Sequence, residues 1–351
     1  LIFVEISAAS YEMTPNKYKE LKSLKAWLIN QPGSIDNLVW GEIEDVHAGE
    51  GQLVVKVIST ALNPVDYKMI ESGSSSWNYP HVTGVDLAGE VVEVGKNVVA
   101  FKVGDRVACH TDLNEKGSFA EYAVVSGDAT VKIPEAVSFD QAAAVLCAGM
   151  TAYQAIMQKL NHKQKQTILI HAGAGGVGGF AIQLAKELRL KVFTTASSSN
   201  HSWVKSLGAD IAIDYKTEDV TQRILEETNK EGVDLIFNTV SAAEATRDLG
   251  RLAFSGQLAY IAGSPDLSNV KPFTLSPSIH EVALGAAHSS GSIRAKKNLA
   301  FMAEQLMKRV ANGTLNPMVT EVLPREELPA ALKKLKGRHV RGKIIIRMQA
   351  E

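Results

Sequence analysis

Residues 167–196 read TILIHAGAGGVGGFAIQLAKELRLKVFTTA. An apolar strand candidate runs into a glycine cluster, a helix-like segment follows, and a second strand closes the unit. Gly173, Gly175 and Gly178 satisfy G-x-G-x-x-G, with the strand before and the helix after that the motif requires. Gly173 permits a sharp turn, Gly175 removes a side chain that would obstruct a pyrophosphate, and Gly178 permits close helix–strand contact. Gly176 and Val177 fall inside the same turn, where backbone amides at a helix start bind phosphate. The pattern is that of a dinucleotide-binding unit. A glycine-rich hairpin or a tight packing turn is the alternative.

Downstream, IAIDY, VDLIFNTV and QLAYIAG are strand candidates separated by helix-compatible intervals. This alternation indicates an α/β fold with a parallel sheet covered by helices. Upstream, residues 24–134 are strand-rich. LVVKVISTAL and FAEYAVV are strand candidates, LAGEVVEVG alternates, and Gly104-Asp105 marks a tight turn. Ser138 and Gln141 have capping-box spacing, and a helical stretch with a break near Gly149 bridges the two textures. After it, KKNLAFMAEQLMKRVANG reads as a helix ending at Gly313, PREELPAALKKLKG as a shorter one, and GKIIIRM as a last strand. The Lys-rich stretch 333–341 reads as a solvated face.

The end of the second strand decides the cofactor. An NAD site presents Asp or Glu about 20 residues after the first glycine, to bind the ribose hydroxyls. Here the chain has KVFTTASSSN, and no acid appears until Asp210. Ser197 and Ser198 offer hydroxyl donors in place of a repelling carboxylate, with Asn200, His201 and Lys205 close behind. The pattern favours NADPH over NADH. Turn formation and helix capping are the alternative for the serines.

The bulk numbers narrow the class. The chain has 351 residues, 45% hydrophobic and 21% charged, which suits a globular protein of two domains. Its formal net charge is −1, so no global positive field favours nucleic acid or an anionic membrane. No apolar run reaches the roughly 18–20 residues that span a bilayer. The opening LIFVEISAASYEM is interrupted by Glu5 and lacks a basic lead, so residues 1–23 read as an N-terminal extension. Cys109 and Cys147 are the two cysteines. They supply neither a disulfide framework nor a four-cysteine zinc site, and a reducing compartment is expected.

Together the ordered segments NPVDYK (63–68), GVDLAGEVVEVG (84–95), VGDRV (103–107), GSFAEYA (117–123), AGMTAYQA (148–155), AGAGGVG (172–178), SLGAD (206–210) and GKIII (342–346) resemble the medium-chain dehydrogenase/reductase superfamily, in its zinc-free quinone oxidoreductase-like branch. The resemblance covers most of residues 24–351. It implies a doubly wound Rossmann NADPH-binding domain over 148–289, inserted in a GroES-like β-rich catalytic domain made of 24–147 and 290–351. It also implies a cytoplasmic homodimer, with VALGAA (282–287) near the pairing edge strand.

At the positions where zinc relatives carry ligands, this chain has Asn63 and Gly84-Val85-Asp86. Cys147 alone completes no site, so no metal is expected. The resemblance places Asn63 near the nicotinamide and Tyr67 near the substrate opening, with Asp66 between them. Tyr67 is a hydrogen-bond or proton donor, or an aromatic packing residue. Asp66 is catalytic or caps its turn. Asp86 is internal support. The resemblance also suggests that Thr151 faces the nicotinamide, or else bonds within its helix, and that Tyr215 lies near the adenosine phosphate, or else packs in the cleft; the backbone of Ala262, Gly263 and Ser264 passes near the nicotinamide or forms a tight turn. The expected reaction is NADPH-dependent reduction of a quinone or enone, a small conjugated acceptor. A zinc-free ketone or aldehyde reductase and a non-catalytic NADPH-binding regulator are the alternatives.

Overall fold

The computed structural model describes residues 24–338 and 340–349, so the extension expected at 1–23 lies outside them. The first strands are β1 (Leu24–Leu28), β2 (Val39–Ile43), β3 (Gln52–Ala61), β4 (Asp86–Val94), β5 (Arg106–His110), β6 (Tyr122–Ser126) and β7 (Thr130–Lys132). Val- and Ile-rich β3 is the hub. It pairs antiparallel with β4 and β6, and Val54, Val55 and Val57 are fully buried. It ends where Pro64 at the first helical position starts α1 (Pro64–Ser72), with Asn63 as N-cap.

Helix α2 (Phe139–Ala144) opens on the expected capping box: Gln141 N–H donates to Ser138 Oγ, and Ser138 N–H to Gln141 Oε1. The break after it falls at Leu146, whose ψ of −98° is non-helical, and not at Gly149. Gly149 lies inside α3 (Cys147–Tyr153), where an added Cβ would stand 3.1 Å from Leu306 Cδ1. The glycine there serves close helix packing.

The second sheet contains β8 (Thr167–Ile170), β9 (Lys191–Thr195), β10 (Ile211–Ile213), β11 (Val233–Asn238), β12 (Leu252–Tyr260) and β13 (Ser278–Glu281). All its pairings are parallel, in the order β10-β9-β8-β11-β12-β13. Helices α4 (Gly176–Glu187), α5 (His201–Ser206), α6 (Val220–Glu227) and α7 (Ala242–Asp248) connect its strands. This is the doubly wound Rossmann order, which reverses between β8 and β11. The edge strand is SIHE and not VALGAA. Val282 and Leu284 turn into the main core, at 5% and 7% exposure, and the chain passes into α8 (Ala286–Ser289).

The chain then forms α9 (Ile293–Ala311), β14 (Val319–Pro324), α10 (Leu328–Lys336) and β15 (Lys343–Arg347). β15 pairs antiparallel with β3, so the C-terminus returns to the first sheet, whose order is β14-β15-β3-β4-β5-β7. The parallel sheet is thus an insertion between β7 and β14. One apolar core runs through the junction and includes Met150, Phe180 and Leu306 from α3, α4 and α9. Each such side chain contributes roughly 1.5–3 kcal/mol when fully buried. A second core, around Leu169, Phe193 and Ile236, fills out the parallel sheet. Among the described residues no helix is long and apolar enough to cross a membrane.

Candidate active site

The glycine turn follows β8 at the reversal of strand order, where ligands bind in open α/β sheets. Its left-handed residue is Ala172, at φ +52°, so the turn is sharpened one residue before Gly173. Gly173 is required by space: a Cβ there would lie 2.1 Å from Thr194 Oγ1. Gly178 is required likewise, with Ala172 O at 2.4 Å. Gly175, the N-cap of α4, differs. Its added Cβ would meet only Ala172 O at 3.5 Å, so the space in front of it is open. An open cradle at a helix N-terminus fits a dinucleotide pyrophosphate. Gly176 and half-buried Val177 form the first turn of α4, and Gly176 packs beside Ala148 and Lys343.

Other expected cofactor residues follow strand ends of the same parallel sheet. Ser197, Ser198 and Asn200 come after β9, exposed Tyr215 after β10, and Ala262, Gly263 and Ser264 after β12. Asn200 Nδ2 donates to Ser197 Oγ at 3.1 Å. Lys205 is exposed on α5. One feature departs from the sequence reading. An acid does reach this loop from further along the chain: Asp214 accepts from Ser198 N–H at 3.1 Å and from Lys216 N–H at 3.0 Å. These backbone bonds, that of Lys216 first, hold its carboxyl below the usual range.

Opposite the turn, Asn63, Asp66, Asp86 and Lys343 form one buried network. Asn63 Nδ2 donates to Ala61 O (3.0 Å) and to Asp86 Oδ2 (2.7 Å). Lys343 Nζ donates to Asn63 Oδ1 (2.6 Å) and Leu62 O (2.8 Å), and lies 3.8 Å from Asp86 Oδ2. Asp86 Oδ1 accepts from Cys147 N–H at 2.8 Å. Asp66 Oδ2 accepts from Asn63 N–H at 2.7 Å, one half of a capping box, while its buried Oδ1 makes no well-formed hydrogen bond among the described residues, although the Val85 N–H lies near enough to favour the charged carboxyl.

Burial, and then the neighbouring Asp86, pushes the Asp66 carboxyl up to about 8. Burial raises Asp86 to about 6 against the opposing pull of Lys343 and Asn63. Burial and Asp86 also raise the Cys147 thiol well above its ordinary value, while Thr151 hydrogen-bonds its sulfur. Tyr67 is 8% exposed within the core, and its hydroxyl has no protein partner among the described residues. Asp66 and Asn63 therefore act in this geometry as cap and tie; both amide hydrogens of Asn63 are already bonded.

The network and the turn touch. Gly342 N–H donates to Ala174 O at 3.0 Å, pairing Gly342 with Gly175, and Lys343 follows directly. Lys343 and Arg341 are residues that sequence reasoning missed. Arg341 belongs to the stretch read as a solvated face and is exposed; its guanidinium also reaches Ser199 O and Asn200 Oδ1. Lys333 and Lys336 of the same stretch pair with Asp36 and Glu71 on the protein surface.

A zinc ion does not fit the Asn63–Asp86–Lys343 network. The Lys343 ammonium already occupies the oxygens of Asn63 and Asp86, and a ligating cysteine must be a thiolate, which burial of Cys147 opposes. His171, Glu244 and Asp248 form a further grouping of donor atoms. Arg251 Nη1 donates to both of its carboxylates, so a cation is already supplied. His110 and His288 stack face to face beside a cavity of about 300 Å³ that Thr111 and Lys116 also line; no residue of the glycine turn borders it.

Residues 49–135 match the model of the alcohol dehydrogenase GroES-like domain, and residues 207–346 that of zinc-binding dehydrogenases. The chain is 31% identical to a quinone oxidoreductase of Sus scrofa over 85% of this chain and 89% of the relative. It is 36% identical to 2-methylene-furan-3-one reductase of Solanum lycopersicum, over 63% of this chain and 58% of that one. A quinone oxidoreductase structure from Pseudomonas syringae pv. Tomato DC3000 superposes with a TM-score of 0.82 at 30% identity, covering 92% of this chain and 99% of the other. A mycobacterial protein complexed with NADPH superposes at 0.79 with 27% identity, over 93% and 100%. The chain belongs to the medium-chain dehydrogenase/reductase superfamily, in its quinone oxidoreductase-like branch, and is an NAD(P)H-dependent oxidoreductase.

Proposed function

We propose that the chain reduces a quinone, or the C=C bond of an enone, with NADPH and without zinc. One observation carries the reading: Lys343 is seated on Asn63 and Asp86, where a catalytic metal would need free ligands. An acceptor reduced without that Lewis acid must already be electron-poor, and conjugation to a carbonyl supplies this. The relatives named for quinone and furanone reduction support the same class of acceptor.

When bound, NADPH supplies the hydride. Gly175 leaves room for its pyrophosphate, and the N–H groups at the start of α4 face that room. Ser197, Ser198 and Asn200 line the end of β9 with neutral donors, which supports the phosphorylated cofactor. Asn63 and Asp86 anchor α1 and α3 so that Tyr67 and Thr151 keep their places. The Tyr67 hydroxyl, without a partner among the described residues, is a donor for a substrate oxygen. We further propose a homodimer joined along β13, whose outer edge ends the parallel sheet.

The test is turnover of quinones, enones and saturated carbonyls with NADPH and with NADH. Consumption confined to conjugated acceptors and NADPH is expected. Saturated aldehydes and ketones as the better substrates would overturn the acceptor class. Tight NADPH binding without turnover across the panel would instead support a regulatory role.

A further inference from the structure

Arg341 stands between two fixed points. Its carbonyl accepts from Thr320 Oγ1 at 2.8 Å. The next residue, Gly342, is at φ +57°, is bonded to the glycine turn, and is so confined that a Cβ would lie 2.4 Å from Met318 O. The root of the side chain is therefore set by the catalytic domain. Its head lies on the nucleotide domain, where Nη2 donates to Ser199 O at 2.8 Å and Nε to Asn200 Oδ1. Two of the five guanidinium N–H groups are used, and the planar head fixes the direction of the rest.

The charge around this loop gives that placement a consequence. Asp214, held in its charged form, bonds Ser198 N–H. A negative group so close opposes a second anion, and serine hydroxyls carry no charge to offset it. The Lys205 ammonium makes no hydrogen bond or ion pair among the described residues, whereas the Arg341 guanidinium is bonded directly to the loop. We infer that Arg341 is a specificity-determining residue: it supplies, from the catalytic domain, the cation that binds the 2'-phosphate of NADPH beside Ser197–Asn200. This rests on the NADPH reading above. It also ties cofactor choice to the interdomain contact, because Arg341, Gly342 and Lys343 reach the adenosine loop, the glycine turn and the Asn63–Asp86 pair in succession.

The test is equilibrium titration of the full chain, followed by tryptophan fluorescence, with NADPH, NADH, 2',5'-ADP and 5'-AMP. Arg341→Ala is expected to weaken NADPH and 2',5'-ADP by about 10- to 100-fold and to leave NADH and 5'-AMP within about twofold. Retained NADH binding shows that the variant folds. Arg341→Lys, which keeps the charge but loses the fork, should fall between the two. Parallel weakening of NADPH and NADH would mean that Arg341 only braces the loop, and would overturn the inference while leaving the NADPH reading intact. A wild-type chain that binds NADPH no better than NADH would overturn that reading, and the inference with it.

Discussion

Two buried networks in this chain use the same parts and balance them differently. In the nucleotide domain, Asp248 accepts from the His171 ring, from Asn238 Nδ2 and from Arg251 Nη1. Burial works to raise its carboxyl, yet His171 and the other partners outweigh burial and hold it low. At the domain junction, Asp86 has an asparagine and a lysine, but its neighbour Asp66 keeps one oxygen bare, and both carboxyls are pushed upward. The first network satisfies its charges within one domain and serves as an anchor under the strand ends. The second joins the two sheets, and burial holds its carboxyls toward their protonated forms.

Removing the cation from each network should separate anchor from site. Arg251→Met leaves Asp248 buried without its arginine, while half-buried Glu244 keeps Arg247, and is expected to cost about 3–5 kcal/mol in denaturant unfolding. Lys343→Met leaves Asp86, which can take up a proton because it already titrates near 6. Its stability loss should be smaller, about 1–3 kcal/mol. Its kcat/KM should nevertheless fall by about 100-fold or more, because Asn63 and α1 lose their registration with the glycine turn. Equal stability losses in the two variants, with full turnover kept in Lys343→Met, would erase the distinction.

The glycine turn lies between the networks, and its glycines divide the same way. Gly173→Ala drives a Cβ onto Thr194 Oγ1 and is expected to cost about 1–3 kcal/mol. Gly175→Ala enters open space at φ −80°, so stability should change by no more than about 0.5 kcal/mol. Dinucleotide affinity should still drop by about tenfold or more, since the Cβ takes the pyrophosphate's room. Unchanged affinity in Gly175→Ala would remove the cradle from the site.

What the sequence revealed follows from distance along the chain. The βαβ unit was legible because glycine spacing and hydrophobic period are local. So was the Ser138–Gln141 box. Lys343 was not: its partner Asn63 is 280 residues away, and GKIII reads as a strand and a family segment without a role for its lysine. Asp214 lies 16 residues beyond Ser198, at the end of the next strand, and only the fold returns its carboxylate to that loop. Arg341 was hidden in a run whose lysines do lie on the surface. VALGAA looked like an edge strand because burial and strand pairing leave the same apolar signature, and here burial won.

The unbonded oxygen of Asp66 is probed by the pH dependence of stability rather than by its size at one pH. Its folded-state value, about 8, lies above the unfolded value of about 3.9, so the native protein holds a proton that the unfolded chain has released. Between these values unfolding loses a proton, and native stability falls as pH rises, by at most about 1.4 kcal/mol per pH unit. Below about 4 the protonated carboxyl contributes fully, and above about 8 the dependence from this group ends. Asp66→Asn cannot titrate, and its side-chain oxygen can still accept from Asn63 N–H. Its stability relative to the wild type should climb from pH 5 to pH 8 and then level off. The amide nitrogen that replaces the bare oxygen adds a constant offset, so the slope and not the intercept is the measure. Parallel unfolding curves for the two proteins across that range would mean that Asp66 is ionised in the folded state, and the contrast with Asp248 would reduce to burial alone.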